Sequence, residues 1–346
     1  EYKKRVNGGN IMKTERIVLA KRPEGIPSND VFKYETVEVG MPDSEEIQIE
    51  TLYISVDPYM RGRMDDSKSY ITPFQLNEPM NGHIVGKVTE SNADGFNKGD
   101  IVTGTFPWQK VVNVKAKHAI KVTQTNIPLY LYLSVLGMTG QTAYHGLLKI
   151  GQPQEGETVV VSAASGAVGS VVGQIAKLKG AHVVGIAGGK EKTNYLTDSL
   201  GFDEAVDYKA DNFSEALSKA VPNGVDVYFE NVGGTVGDEV MKHLNQFARI
   251  PVCGAISGYN NTEIEYGPRI QPIIIKSQAL MQGFIVANYA DDFANASKEL
   301  AQWVQEDKIK TKTSVMEGFD NVPEAFRNLF TGDNFGKQVV QVSDNN

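Results

Sequence analysis

Residues 159–180 read VVVSAASGAVGSVVGQIAKLKG. A valine run leads into small residues and glycines, then into a segment whose Val168, Val171, Val172, Ile175 and Leu178 recur with a helical period. Strand, glycine turn and helix in that order suit a pyrophosphate, because the helix start offers N–H groups and glycine lets the backbone come close. In the G-x-G-x-x-G spacing, Gly166 and Gly169 hold the second and third glycine positions and Ala164 stands at the first. A methyl group there costs little if the backbone is not left-handed. The plain alternative is an ordinary βα turn; a further apolar run beginning near His182 favours the dinucleotide reading.

The next chemistry lies at VVGIAGGKEK (183–192). A site for a dinucleotide with a free ribose 2′-hydroxyl carries Asp or Glu about 20 residues past the glycines. Here Gly188 and Gly189 stand at that point, followed by Lys190, Glu191 and Lys192. No acid repels a 2′-phosphate, and either lysine supplies a point charge. The choice is NADP over NAD. The plain reading of the lysines is a solvated helix start.

Two other chemistries lack their residues. A catalytic zinc takes three protein ligands. ISVDPYMR (54–61) has no cysteine, His83 in NGHIVG is followed by Ile84 rather than an acid, and the other four of the five histidines show no metal spacing. No metal is expected. A Tyr-x-x-x-Lys pair, in which lysine lowers the tyrosine pKa, is also missing: none of the 14 tyrosines has Lys four places later.

These residues need elements to hold them. The chain has 346 residues, enough for two domains at ~150 residues each. Its net charge of −8 gives no basic excess for nucleic acid or anionic membrane. Cys253 is its one cysteine, which excludes an internal disulfide and suits a reducing cytoplasm. No apolar run reaches the ~20 residues of a membrane helix. Met12 reads as a natural start, so residues 1–11 are expected to be a poorly ordered extension. Before residue 137 the pattern is short β runs broken by turn residues: 47–56, 83–91, 100–106 and 108–114. From 157 it becomes strand–helix alternation, with apolar runs at 158–164, 182–188, 204–208, 225–233, 249–257 and 280–289. The stretch 312–342 adds an amphipathic helix and a last β run. The expectation is an α/β protein: a doubly wound parallel sheet over 137–311, inserted into a barrel-like β domain of 12–136 plus 312–346, with a cleft between the two.

The motifs VDPYMRGRM, GMTGQTAYHGL, AASGAVGSVVGQIAKLKG, YFENVGG, RIPVCGAISGYN, LMQGFIV and GDNFGK resemble one family over nearly all of 12–342. It is the zinc-independent medium-chain dehydrogenase/reductases that include leukotriene/prostaglandin reductases, plant double-bond reductases and bacterial curcumin reductases. AYHGLLKIGQPQEGETVVVSAASGAVG and WVQEDKI most resemble the curcumin reductase type. The resemblance implies a Rossmann domain within a GroES-like β-barrel domain, and NADPH-dependent reduction of the C=C bond of α,β-unsaturated aldehydes and ketones.

It also implies site residues. Ala164, Gly166, Ala167 and Val168 would lie at the pyrophosphate. Gly188, Lys192 and Tyr208 would surround the 2′-phosphate. Asn231, Cys253, Ala255, Ile256 and Ser257 would lie along the nicotinamide half, and Asn334 would reach it from the last segment. Tyr259 would hydrogen-bond the substrate oxygen or deliver a proton; Tyr59 and Arg61 would line the substrate side. The chain departs from the family at Glu230, where other members have Asp, and loop 62–80 has no match. A homodimer through the edge strand within 280–289 follows from the same likeness.

Each residue has a plainer reading. Tyr259 is otherwise a loop tyrosine meeting solvent, Tyr59 and Arg61 a packed turn with a surface ion pair, Asn231 a strand-ending Asx turn, and Cys253 a small buried hydrophobe. Two rival functions stay open: an NADPH quinone oxidoreductase of the neighbouring zinc-free branch, and a non-catalytic NADPH-binding sensor.

Overall fold

The structure is a computed structural model and describes residues 4–6 and 9–344. In chain order, an N-terminal hairpin β1 (Lys4–Val6) and β2 (Gly9–Leu19) runs into β3 (Phe32–Val39). Then come β4 (Glu46–Ser55), the short helix α1 (Met60–Arg63), β5 (Asn81–Ser91), β6 (Ile101–Pro107), β7 (Val111–Lys115) and β8 (Ile120–Lys121). Of the extension 1–11, residues 1–3 and 7–8 lie outside the described residues; Lys4–Val6 pairs antiparallel with Gly9–Ile11, where the sequence suggests little order.

Alternating strand and helix follow. They are α2 (Met138–His145), β9 (Thr158–Val161), α3 (Gly169–Leu178), β10 (His182–Ala187), α4 (Lys190–Asp198), β11 (Glu204–Asp207) and α5 (Phe213–Ala220). Next are β12 (Val225–Phe229), α6 (Gly234–Met241), β13 (Leu244–Val252), α7 (Gln271–Ser277), β14 (Leu280–Gly283) and α8 (Phe293–Gln305). The chain closes with β15 (Thr313–Glu317), α9 (Val322–Thr331) and β16 (Lys337–Gln341).

These elements form two compact units. One comprises residues 1–133, 314–334 and 338–346; the other comprises 134–313 and 335–337. In the first, β15-β16-β4-β5-β6-β8 form a sheet, with β7 paired to β4. Its apolar residues alternate between two buried clusters, one with Trp108, Phe106, Ile84 and Phe326 and one with Leu52, Val85, Ile101 and Val339. Trp108 is expected to begin a strand, but strand pairing starts at Val111; Trp108 turns inward and stacks on Phe32, ring centroids 6.4 Å apart.

The second unit is a six-stranded parallel sheet in the order β11-β10-β9-β12-β13-β14, the order of a doubly wound dinucleotide-binding fold. Val159, Val160 and Val161 of the central strand β9 pair with β10 on one side and β12 on the other. Strands buried on both faces read as continuous apolar runs, which is why the valine run is unbroken. Helix α3 is also buried nearly all round, from Gly169 to Ala176, whereas Leu178 is exposed rather than part of a buried stripe. The strand expected over 280–289 stops at Gly283. The chain then turns through a short helical segment, where Tyr289 stacks on the buried His145 at 5.1 Å.

Candidate functional site

The strand order reverses between β9 and β12, and ligands of such sheets bind beyond the strand ends at that point. Four features of the parallel unit meet there or beside it.

The first is the glycine turn. Its left-handed residue is Ala163 (φ +48°), one place before Ala164, so Ala164 escapes the strain that would demand glycine. Ala164 is buried and its N–H donates to the Ile186 carbonyl at 3.0 Å. A Cβ on Gly169 would lie 2.3 Å from the Ala163 oxygen, so glycine is required there for space. On Gly166 a Cβ would meet that oxygen alone, at 3.2 Å, leaving its outer face clear. Gly166, Ala167 and Val168 are part-exposed, and they precede an α3 whose first turn is closed by Ser170 N–H on the Gly166 carbonyl (3.1 Å) and Val171 N–H on the Val168 carbonyl (3.1 Å). This cradle fits a pyrophosphate.

The second is the end of β10. A Cβ on Gly188 would meet Lys209 Cε at 2.9 Å and Tyr208 Oη at 3.1 Å, so Gly188 and Tyr208 come together although they follow different strands. Lys192 sits half-buried in the first turn of α4.

The third is a buried network across the switch point. Ser162 Oγ donates to Glu230 Oε1 (3.2 Å) and accepts the Asn231 N–H (2.9 Å), while Asn231 Nδ2 donates to the Ser162 carbonyl (2.8 Å). Glu230 Oε1 also accepts the N–H groups of Val232 and Gly233, both at 2.8 Å, just before α6. Its other oxygen fills the space left by Gly237, where a Cβ would approach to 2.5 Å. Glu230 thus has a structural use of its own, and Asn231 bonds across to Ser162 instead of making the Asx turn of its plainer reading, the local turn bonds falling to Glu230.

The fourth is loop 253–259, which hangs from that network. The Cys253 and Gly254 N–H groups donate to the Glu230 carbonyl, Ile256 N–H to the Asn231 carbonyl, and Ser257 Oγ to the Val232 carbonyl at 2.6 Å. Tyr259 folds back over the loop, and its Oη accepts the Ala255 N–H at 3.1 Å. Cys253 is half-buried as a residue, yet burial of its sulfur, helped by Glu230, pushes the thiol up to about 12.

The remaining candidates belong to the other unit. Burial pushes the Tyr59 phenol up, reinforced by Asp57 and opposed by Arg63. Arg61 bonds the Gly25 carbonyl (3.2 Å) and Asp65 (2.9 Å) in a packed turn, but the arginine end of this ion pair is buried and not at the surface as its plainer reading has it. Arg63, missed by sequence reasoning, anchors the unmatched loop. It bonds the Thr72 carbonyl and Asn81, and its guanidinium lies 4.0 Å from the Phe74 ring centre. Asn334 lies in this unit as well, but the residues after it do not: Gly336 forms a parallel bridge with Gly166. Among the described residues no group of three or more His, Cys, Asp and Glu side chains could hold a metal ion.

Comparison with known proteins completes the picture. Residues 15–122 match the family described as the N-terminal domain of oxidoreductase, and 167–302 the one described as zinc-binding dehydrogenase. YfmJ of Bacillus subtilis (strain 168), provisionally named an NADP-dependent oxidoreductase, is 53% identical over 333 residues, covering 95% of this chain and 98% of its own. The NADPH-dependent curcumin reductase of Escherichia coli (strain K12) is 45% identical over 341 residues, covering 97% and 99%. The NADP(+)-dependent 2-alkenal reductase of Nicotiana tabacum is 39% identical over 335 residues, covering 95% and 97%. The crystal structure of CurA from Vibrio vulnificus in complex with NADPH superposes with a TM-score of 0.92 at 44% identity, covering 95% of this chain and 99% of that one.

Proposed function

We infer the function from one premise: the chain belongs to the zinc-independent medium-chain dehydrogenase/reductase family of double-bond reductases. It is an NADP-dependent oxidoreductase of the curcumin and alkenal reductase type, with NADPH as cofactor. We propose that it reduces the C=C bond of α,β-unsaturated aldehydes and ketones. The observation that carries this reading is the Tyr259 hydroxyl, whose oxygen is fixed by the Ala255 N–H in the loop that follows β13.

In this reading Ala164, Gly166, Ala167 and Val168 take the pyrophosphate. Gly188, Lys192 and Tyr208 take the 2′-phosphate. Asn231, Cys253, Ala255, Ile256 and Ser257 orient the nicotinamide half, with Asn334. Cys253 contributes backbone rather than a thiolate, since its thiol stays protonated. Tyr59 lines the substrate side; Arg61, already bonded at Gly25 and Asp65, serves by shaping that turn.

NADPH, when bound, supplies the hydride that adds to the electron-poor β-carbon of the enone. Negative charge then gathers on the carbonyl oxygen, and Tyr259 Oη donates to it. The Ala255 N–H occupies an acceptor site on that same oxygen and so polarises the phenol O–H toward stronger donation. The Glu230–Ser162–Asn231 network keeps the loop beneath Tyr259 from moving. The α-carbon takes its proton from water or a donor.

Side-by-side assays of a simple enone and a benzoquinone with NADPH test the reading. Faster enone reduction is expected. A strong quinone preference would turn the assignment to a quinone oxidoreductase, and tight NADPH binding without turnover on either would make the protein a sensor. The reading includes a cytoplasmic location and a homodimer. The outermost strand β14 has all four residues exposed, with Leu280 and Met281 among them. Light scattering at micromolar concentration should give twice the chain mass, and Met281→Lys should lower it.

A further inference from the structure

Strand β11 lies beside β10, so the turn after β11 arrives where β10 ends. Tyr208 and Lys209 occupy that turn. Both converge on the bare backbone of Gly188: a Cβ there would meet Lys209 Cε at 2.9 Å, Tyr208 Cε1 at 3.0 Å and Tyr208 Oη at 3.1 Å. An exposed lysine ordinarily runs out into water; this one lays its stem across the glycine. Its ammonium stays 5.9 Å from the Tyr208 ring centre, within cation–π range.

The turn is rigid. Asp207 Oδ1 accepts the N–H groups of both Gly189 (3.0 Å) and Lys209 (2.9 Å), and the Tyr208 N–H donates to the Ala187 carbonyl (3.2 Å). The carboxylate at this sheet end is therefore engaged by backbone donors. Gly189 is also the N-terminal cap of α4, which carries Lys192 in its first turn.

We propose that Lys209 is a specificity-determining residue for 2′-phosphorylated dinucleotides, its ammonium acting with Lys192 and the Tyr208 hydroxyl on a phosphate monoester above Gly188. The proposal deepens the NADPH reading and rests on it. A phosphate monoester carries a charge of about −1.5 to −2 near neutral pH, more than one lysine balances. The glycine at 188 is what lets the lysine stem of the neighbouring strand reach the same spot.

The test is direct binding of 2′,5′-ADP and 5′-AMP to the full chain by calorimetry, which needs no turnover. Lys209→Gln keeps most of the stem and removes the charge. It should raise the Kd for 2′,5′-ADP about tenfold, or ~1.4 kcal/mol, leave 5′-AMP unchanged and reduce the salt dependence. Lys209→Arg should retain most of the affinity. Unchanged 2′,5′-ADP binding in Lys209→Gln, with loss in Lys192→Gln, overturns the proposal and leaves the NADPH reading standing. Equal loss for both ligands would mark a merely structural lysine and also overturns it. If the unaltered chain binds both ligands alike, the cofactor reading fails first.

Discussion

Gly166 and Gly336 face each other as an isolated parallel bridge, so the turn after β9 is backed by a segment from near the end of the chain. Gly336 is left-handed (φ +71°), and a Cβ on it would stand 2.1 Å from the Lys312 carbonyl oxygen. Beside it, Phe335 packs edge-on against Tyr195 at 5.1 Å and under the Lys312 ammonium at 3.7 Å.

The three glycines of this region should therefore respond differently to alanine. Gly336→Ala and Gly169→Ala should each cost about 2–3 kcal/mol in chemical unfolding. Gly166→Ala, with its clear outer face, should stay within about 1 kcal/mol of the unaltered chain and weaken NADPH about tenfold. If Gly166→Ala loses stability but binds NADPH normally, the cradle is misread.

Tyr259→Phe removes the proposed donor and keeps the ring. It should lower turnover on an enone by about 10²-fold, with the NADPH Kd nearly unchanged. Full activity would remove Tyr259 from the mechanism.

Lys192→Glu places an acid in the first turn of α4. The KM for NADPH should rise far more than that for NADH. Equal rises would count against a 2′-phosphate contact.

Acid should weaken the parallel unit through Glu157. Burial alone would raise this carboxyl, but Arg249 bonds both its oxygens (3.0 and 2.5 Å) and the Gln154 N–H bonds one, so it lies below the ordinary value. A group lowered on folding stabilises above its unfolded value, about 4.3, and loses that contribution as pH falls through the folded one. Glu157→Gln should cost about 1–2 kcal/mol at pH 7, and its urea midpoint should converge on that of the unaltered chain at low pH. A gap constant with pH would show that the charge is not responsible.

Cys253, with its thiol pushed up to about 12, should stay protonated at pH 8. Its alkylation by iodoacetamide should be about 10³-fold slower than that of free cysteine, and Cys253→Ala should keep its activity. Rapid alkylation would contradict the burial argument.

Much of this was readable from residue order. The valine run, the glycine turn and the missing acid after β10 are local patterns, and period and spacing alone point to a parallel dinucleotide-binding sheet. Element ends were less readable. The strand expected over 225–233 stops at Phe229, because Glu230 turns its carboxylate to the N–H groups of Val232 and Gly233.

The sequence by itself determined the class of fold, the glycine cradle and the type of cofactor, since each depends on residues close together in the chain. Only the tertiary structure decided that Lys209 lies over Gly188, that Gly336 backs Gly166, and that Ser162, Glu230 and Asn231 share one network. Those neighbours come from strand order and crossovers, and pairing between distant strands leaves no period or spacing in any one stretch of sequence.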